Sequence, residues 1–205
     1  MIHPTQKSLD IVRNLSESIH TFHHHFHILY DIANTYDPNY QLDYLEIGCY
    51  GGCSASLMLQ RKNTNVTSID IGAPISKEQV YKNIEKFNTH NNNYKYVMGD
   101  SQLESTYSQI KSLYDIIYID GDHSYDAVIR DFHIYSSYLK NNGYIVFDDY
   151  NDYIYCKEVK PAVDFLVKNK IDEYEIIGTL KNILGARGFP DPSYIEGNCF
   201  IIRKK

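Results

Sequence analysis

Five side chains at two places in the sequence have the makings of a reaction centre. The apolar run YDIIYID (114–120) ends in Asp120, followed at once by Asp122 and His123, and the run GYIVFDD (143–149) ends in Asp148 and Asp149. If the two runs are neighbouring strands of one sheet, their ends lie about 4.8 Å apart and the carboxylates converge. Carboxylates at such range repel one another unless a positive charge sits between them, and hard oxygen donors suit Mg²⁺, Mn²⁺ or Ca²⁺. The plainer alternative is that Asp148 and Asp149 cap the following segment or pair with lysines. His123, at the start of a helix, reaches the same mouth with a group that titrates near neutrality. Its plainer role is a bond to the backbone or to Asp126.

A second group of residues stands in EIGCYGGCS (46–54). A dinucleotide fingerprint needs glycines spaced G-x-G-x-x-G, whereas here Gly48, Gly51 and Gly52 break that spacing and Glu46 closes the strand. A carboxylate there disfavours a pyrophosphate and suits a ligand with an ammonium group, while the glycines let that ligand approach the backbone. Asp70, closing the next apolar run, is placed to accept both hydrogen bonds of a ribose diol. Each of these residues also has a bland reading: a tight turn, a loop carboxylate, or, for Asp100 and Ser101, a helix cap.

Positioning such residues takes a sheet. Runs at 42–48, 65–71, 94–100, 114–120 and 143–149 read as doubly covered strands, separated by helix-length segments at 54–60, 76–87, 102–113 and 124–139. A further helix (158–169) precedes two strands, 173–178 and 198–204, with no helix between them. The expected fold is α/β, a Rossmann-like three-layer sandwich whose mostly parallel seven-stranded sheet ends in a C-terminal antiparallel hairpin. Residues 1–38 form a separate N-terminal unit in this reading, an amphipathic helix that serves as a lid or an interface. Val12, Leu15, Ile19, Phe22, Phe26, Leu29 and Ala33 make one apolar stripe along a single helix, which needs the domain's own sheet or a second copy of the chain to cover it. The histidines of HTFHHHFH (20–27) then read as a solvated face, with His20, His24 and His27 outward and His23 and His25 flanking the stripe.

The charge balance, 20 Lys plus Arg against 26 Asp plus Glu, gives −6 at pH 7. That excess repels a phosphate backbone and offers no basic run for a membrane surface, so nucleic acid and membrane are not expected partners. Cys49, Cys53, Cys156 and Cys199 lack the paired spacing of a zinc or redox motif and read as reduced core or near-site thiols in a cytoplasmic protein.

Taken in order, EIGCYGGCS, Asp70, VMGDS (97–101), IDGDHSYDAVIRDF (119–132) and NNGYIVFDDY (141–150) make residues 40–205 resemble the class I S-adenosylmethionine-dependent methyltransferases. Within them the chain is similar to the small O-methyltransferases that need a divalent metal, including those that methylate sugars. The resemblance implies that residues 39–205 bind S-adenosylmethionine. Glu46, Gly48, Tyr50, Gly52 and Ser54 would hold its methionine part, Asp70 the ribose, Ile71 the purine face, and Asp100 with Ser101 the adenine edge, with Asp120 bordering the cofactor. It implies metal ligation by Asp120, Asp148 and Asp149, with Mg²⁺ as the expected ion, and a base at His123, or at Asp122, where relatives carry an acidic residue. The substrate class implied is a small hydroxylated molecule such as a sugar or sugar nucleotide. The rival readings are a metal-independent enzyme acting on a nitrogen or a protein, and a non-catalytic module that keeps the cofactor.

Overall fold

The alternation of apolar runs and amphipathic segments folds as read. A computed structural model describes residues 5–19, 24–170, 172–180 and 197–205. The strands are Leu42–Ile47 (β1), Thr64–Asp70 (β2), Tyr94–Met98 (β3), Tyr114–Ile119 (β4), Leu139–Phe147 (β5), Tyr174–Thr179 (β6) and Phe200–Lys204 (β7). The helices are Gln6–Ile19 (α1), His27–Ala33 (α2), Cys53–Met58 (α3), Lys77–Phe87 (α4), Glu104–Tyr107 (α5), Tyr125–Tyr135 (α6) and Val159–Lys170 (α7). One seven-stranded sheet has the order β3-β2-β1-β4-β5-β7-β6. Strands β1 to β5 are parallel, while β7 runs antiparallel to both β5 and β6. This is the mostly parallel sheet with a C-terminal antiparallel pair that the pattern predicts.

Strand β4 is buried along its whole length because helices cover both faces. Its side chains alternate: Ile116 and Tyr118 join the core under α1 to α4, whereas Ile117 and Ile119 join the core under α6 and α7. The segment expected to be helical over 102–113 shortens to α5, consistent with the low helix propensity of its Ser/Thr/Tyr run.

The N-terminal segment departs from the single helix expected. Helix α1 and helix α2 are separate and pack on each other, with a 3-10 turn at His24–Phe26 leading into α2. Val12, Leu15 and Ile19 on α1 and Leu29 and Ala33 on α2 are buried in one core with Leu42, Tyr44 and Tyr118 of the sheet. Each buried Val, Leu or Ile of the stripe contributes about 1.5–3 kcal/mol against exposure, so the described part of the stripe is satisfied within the chain. The folding back also corrects the histidine reading: His25 and His27 are buried, not solvated. Phe22, His20 and His23 lie outside the described residues, as do 181–196 of the loop before β7. Among the described residues no helix is long and apolar enough to cross a membrane.

Candidate active site

The sheet reverses its winding between β1 and β4, and the crevice beyond their carboxyl ends is where ligands bind in such sheets. Register brings the acidic residues to that edge at one level. Ile47 pairs with Ile119 across β1 and β4, and Ile119 pairs with Phe147 across β4 and β5, so Asp120 and Asp148 are each the next residue out. The ladder continues just far enough to fix them, through Asp120 N–H to Ile47 O (2.8 Å) and Asp148 N–H to Ile119 O (3.0 Å). Successive strand residues point to opposite faces, but Asp149 breaks the strand with φ +53°, a conformation that aspartate tolerates better than most residues. Oxygens of Asp120, Asp148 and Asp149 thereby come within 4.8 Å of one another.

Each carboxylate has a distinct set of partners. Asp148 is almost wholly buried: Tyr118 OH donates to its Oδ2, while His25 Nε2 lies 2.6 Å and Cys199 Sγ 3.4 Å from its Oδ1. Asp149 accepts from Asn198 Nδ2 (2.8 Å) and from the Cys156 thiol (3.1 Å). His123 Nε2 lies 3.3 Å from Asp120 Oδ1 and 3.4 Å from Asp149 Oδ2. Burial, and then the Asp148 charge, push the Asp120 carboxyl up to about 8. Asp149 is raised for the same two reasons. The hydrogen bond to Asp120, against the opposing effect of burial, raises His123 to about 9. Burial depresses the His25 pKa, but contact with Asp148 outweighs it and the net shift is upward. These shifts are the mark of negative charge concentrated in a low-dielectric pocket, and the oxygen donors fit a hard divalent cation.

A cavity of about 530 Å³ opens beside this cluster, walled by Gly48, Tyr50, Asp70, Ile71, Asp100, Ser101, Asp120, Asp122, His123 and Asp149 among others. Its size suits a nucleoside-sized ligand. Gly48 makes the β1 turn possible, since at φ +85° a Cβ would fall 1.8 Å from the Asp120 carbonyl oxygen. The Asp70 carboxylate holds that turn, accepting from the N–H groups of Cys49 (2.8 Å), Tyr50 (2.9 Å) and Gly72 (2.7 Å). Ile71 is exposed on the cavity wall. Asp122 accepts from Ser124 N–H, and Asp100 from Gln102 N–H.

The methyltransferase-domain family matches residues 45–150, just over half of the chain and the span from the end of β1 through both acidic strand ends. The chain belongs to that family. A relative from Acanthamoeba polyphaga mimivirus, itself uncharacterized, is 41% identical over 176 residues, covering 80% of this chain and 79% of its own. Among solved structures, an O-methyltransferase from Bacillus cereus in complex with SAH is 16% identical with a TM-score of 0.64, covering 100% of this chain and 94% of that one. SAH-bound Podospora anserina methyltransferase PaMTH1 matches with 16% identity and a TM-score of 0.64, over 99% and 90% of the two chains. At that identity the two structures show the fold shared by class I S-adenosylmethionine-dependent methyltransferases.

Within this methyltransferase domain, not every expected residue reaches the cavity. Glu46 is fully buried, accepting from the hydroxyls of Ser54 (2.7 Å), Ser68 (2.6 Å) and Tyr44 (3.1 Å), and burial raises its pKa against those bonds. Glu46, Gly52 and Ser54 therefore brace the β1 turn from inside and are absent from the cavity wall. Ser101 Oγ donates to the buried Asp131 (2.8 Å). Residues that sequence reading missed are His25, Tyr118 and Asp131, while Cys156 and Cys199 are buried thiols beside the site. For Tyr118 a signal existed, because it stands two residues before Asp120 in one strand and so shares its face. His25 had none, since only the folded-back N-terminal segment brings it to Asp148.

Proposed function

We propose that the chain is an S-adenosylmethionine-dependent O-methyltransferase, assisted by a divalent cation, that acts on a hydroxyl of a small molecule such as a sugar or sugar nucleotide. The observation that carries the reading is the convergence of Asp120, Asp148 and Asp149, with His123 against them, on the rim of a nucleoside-sized cavity. The SAH held by the two structural relatives, the demethylated product of such a cofactor, supports it. Acidic charge and the cytoplasmic setting expected from four free cysteines agree with a small, soluble substrate.

S-adenosylmethionine supplies a methyl group on a sulfonium, displaced in line by an incoming oxygen. A divalent cation supplies a lowered pKa to a hydroxyl bound to it. Asp120, Asp148 and Asp149 would hold the cation, and Asp70, Ile71, Asp100 and Ser101 the nucleoside. His123 stands where it can take the substrate hydroxyl proton. A base must first be neutral, and the carboxylates that keep the ring protonated are the ones a cation would neutralise. Asp122, exposed and already accepting from Ser124 N–H, is the second candidate for the base.

The test is calorimetric titration of Mg²⁺ into protein saturated with S-adenosylhomocysteine, beside the Asp148→Ala, Asp149→Ala double variant, followed by methyl transfer to a panel of sugar and catechol hydroxyls with and without chelator. Saturable binding in wild type only, with chelator-sensitive transfer, is the expected result. Product binding without magnesium binding would move the reading to a metal-independent methyltransferase.

A further inference from the structure

The carboxylate cluster has a neighbour of different chemistry. Cys156 Sγ lies 3.3 Å from His123 Nδ1 and 3.1 Å from Asp149 Oδ2, and one ligand atom from each of the three residues falls within 4.8 Å of the others. We propose that His123, Asp149 and Cys156 form a second cation site, for a borderline thiophilic ion of the zinc class, which shares Asp149 with the all-oxygen cluster.

The separations fit the ion. Bonds of about 2.3 Å to sulfur and about 2.0–2.2 Å to nitrogen and oxygen, at tetrahedral angles, put ligand atoms roughly 3.3–3.6 Å apart. The contacts to Cys156 need to open by only a few tenths of an ångström. The donor set sorts the two sites: three carboxylates favour a hard ion, whereas a thiol, an imidazole and one carboxylate favour zinc over magnesium. Access sorts them as well. Cys156 and Asp149 are buried, but the His123 side chain is 37% exposed, so the fourth position faces the cavity and the ion can exchange.

Without an ion Cys156 is a neutral thiol donating to Asp149, its pKa pushed up by burial and by that carboxylate. Binding replaces the S–H bond by an S–metal bond and one imidazolium N–H bond by an N–metal bond, and both protons go to solvent, so affinity rises with pH. Nδ1 lies 3.3 Å from Cys156 Sγ and Nε2 3.4 Å from Asp149 Oδ2, and an ion on either ring nitrogen leaves the remaining ring proton on the other. A histidine in that form has no lone pair for a substrate proton, so zinc inhibits at the site where magnesium assists. That inhibitory consequence rests on the methyl-transfer reading; the site itself does not.

The experiment titrates Co²⁺, a spectroscopic stand-in for Zn²⁺, into the full chain held in saturating Mg²⁺. Expected is a near-ultraviolet thiolate-to-cobalt charge-transfer band saturating at one equivalent and abolished by Zn²⁺. It should vanish in Cys156→Ser, weaken at least about tenfold in affinity in His123→Asn, and persist in Cys199→Ser. A band that survives Cys156→Ser and disappears in Cys199→Ser would assign the thiolate to the buried His25–Asp148–Cys199 group and overturn the proposal. Absence of any band in the wild type would overturn it too. Circular dichroism establishes that each variant is folded; should Cys156→Ser fail, the change at the partly exposed His123 decides alone. Zinc inhibition of methyl transfer in wild type but not in folded Cys156→Ser is the separate, activity-dependent readout.

Discussion

His25 Nε2 and Asp148 Oδ1 lie 2.6 Å apart although 123 residues separate them in the chain. Both side chains are buried, and Tyr118 and Cys199 also touch Asp148. The contact makes the N-terminal segment part of the site, because it helps to orient the Asp148 carboxylate beside Asp120 and Asp149.

His25→Asn is therefore expected to keep the fold and S-adenosylhomocysteine binding while weakening magnesium about 10- to 100-fold, the usual cost of losing a residue that orients a ligand. Calorimetry on product-saturated protein measures it. Unchanged magnesium affinity in a folded variant would reduce His25 to a packing residue.

His123→Gln removes the proposed base without touching a carboxylate. Turnover should fall by about 10²–10⁴ with product affinity unchanged. Activity of the wild type should rise with pH as His123 loses its proton, and since Asp120 holds that pKa at about 9, the limb should move to lower pH as magnesium rises. The variant should show no such limb. A pH–rate profile that keeps its limb in His123→Gln would shift the role to Asp122.

How far these expectations could be read without coordinates depended on distance in sequence. The strand ends at Asp70, Asp120 and Asp148 follow from period-two burial and the parallel register, both local consequences of apolar runs bounded by polar turns. The direction of Glu46 does not follow, because it depends on hydroxyls at Ser54 and Ser68 reaching it from two other elements. The N-terminal segment was misread for a related reason. Its stripe has a continuous helical period, and only packing against α3 and the sheet makes the chain fold back instead of running on as one helix. That fold-back buries His25 and His27, which their polarity alone assigns to solvent.

Gly48→Ala tests the close approach that builds the cavity. The new Cβ would sit 1.8 Å from the Asp120 carbonyl oxygen at φ +85°, so the β1 turn must swing away from β4. A loss of about 2–4 kcal/mol in urea unfolding is expected, with S-adenosylhomocysteine affinity falling alongside. Gly121→Ala is the comparison, since its φ lies outside the left-handed region and the new Cβ would meet side-chain atoms, Ile47 Cγ2 at 3.1 Å and Asp131 Oδ2 at 3.3 Å, rather than backbone at 1.8 Å. Equal effects of the two substitutions would mean that the turn adapts and that Gly48 is not what sets the approach.

Asp131, in α6 behind the cavity, gives a prediction independent of any cation. It is fully buried, Ser101 donates to its Oδ1, and its Oδ2 has no hydrogen-bond partner among the described residues. Burial pushes its carboxyl up to about 6, with the Ser101 bond opposing and Asp100 adding to the rise. A folded-state pKa above the unfolded value of about 3.9 means that the native state binds the extra proton between those limits. The associated stability is present below about pH 4 and is lost as pH climbs through 6, by up to about 3 kcal/mol. Asp131→Asn keeps an acceptor for Ser101 and cannot ionise. Relative to wild type, the variant should therefore become progressively more stable from pH 4 to pH 7, and the difference should level off above. Urea unfolding at half-unit steps of pH measures the difference, and a difference that stays flat across the range would place an ionised Asp131 in the fold at all of them.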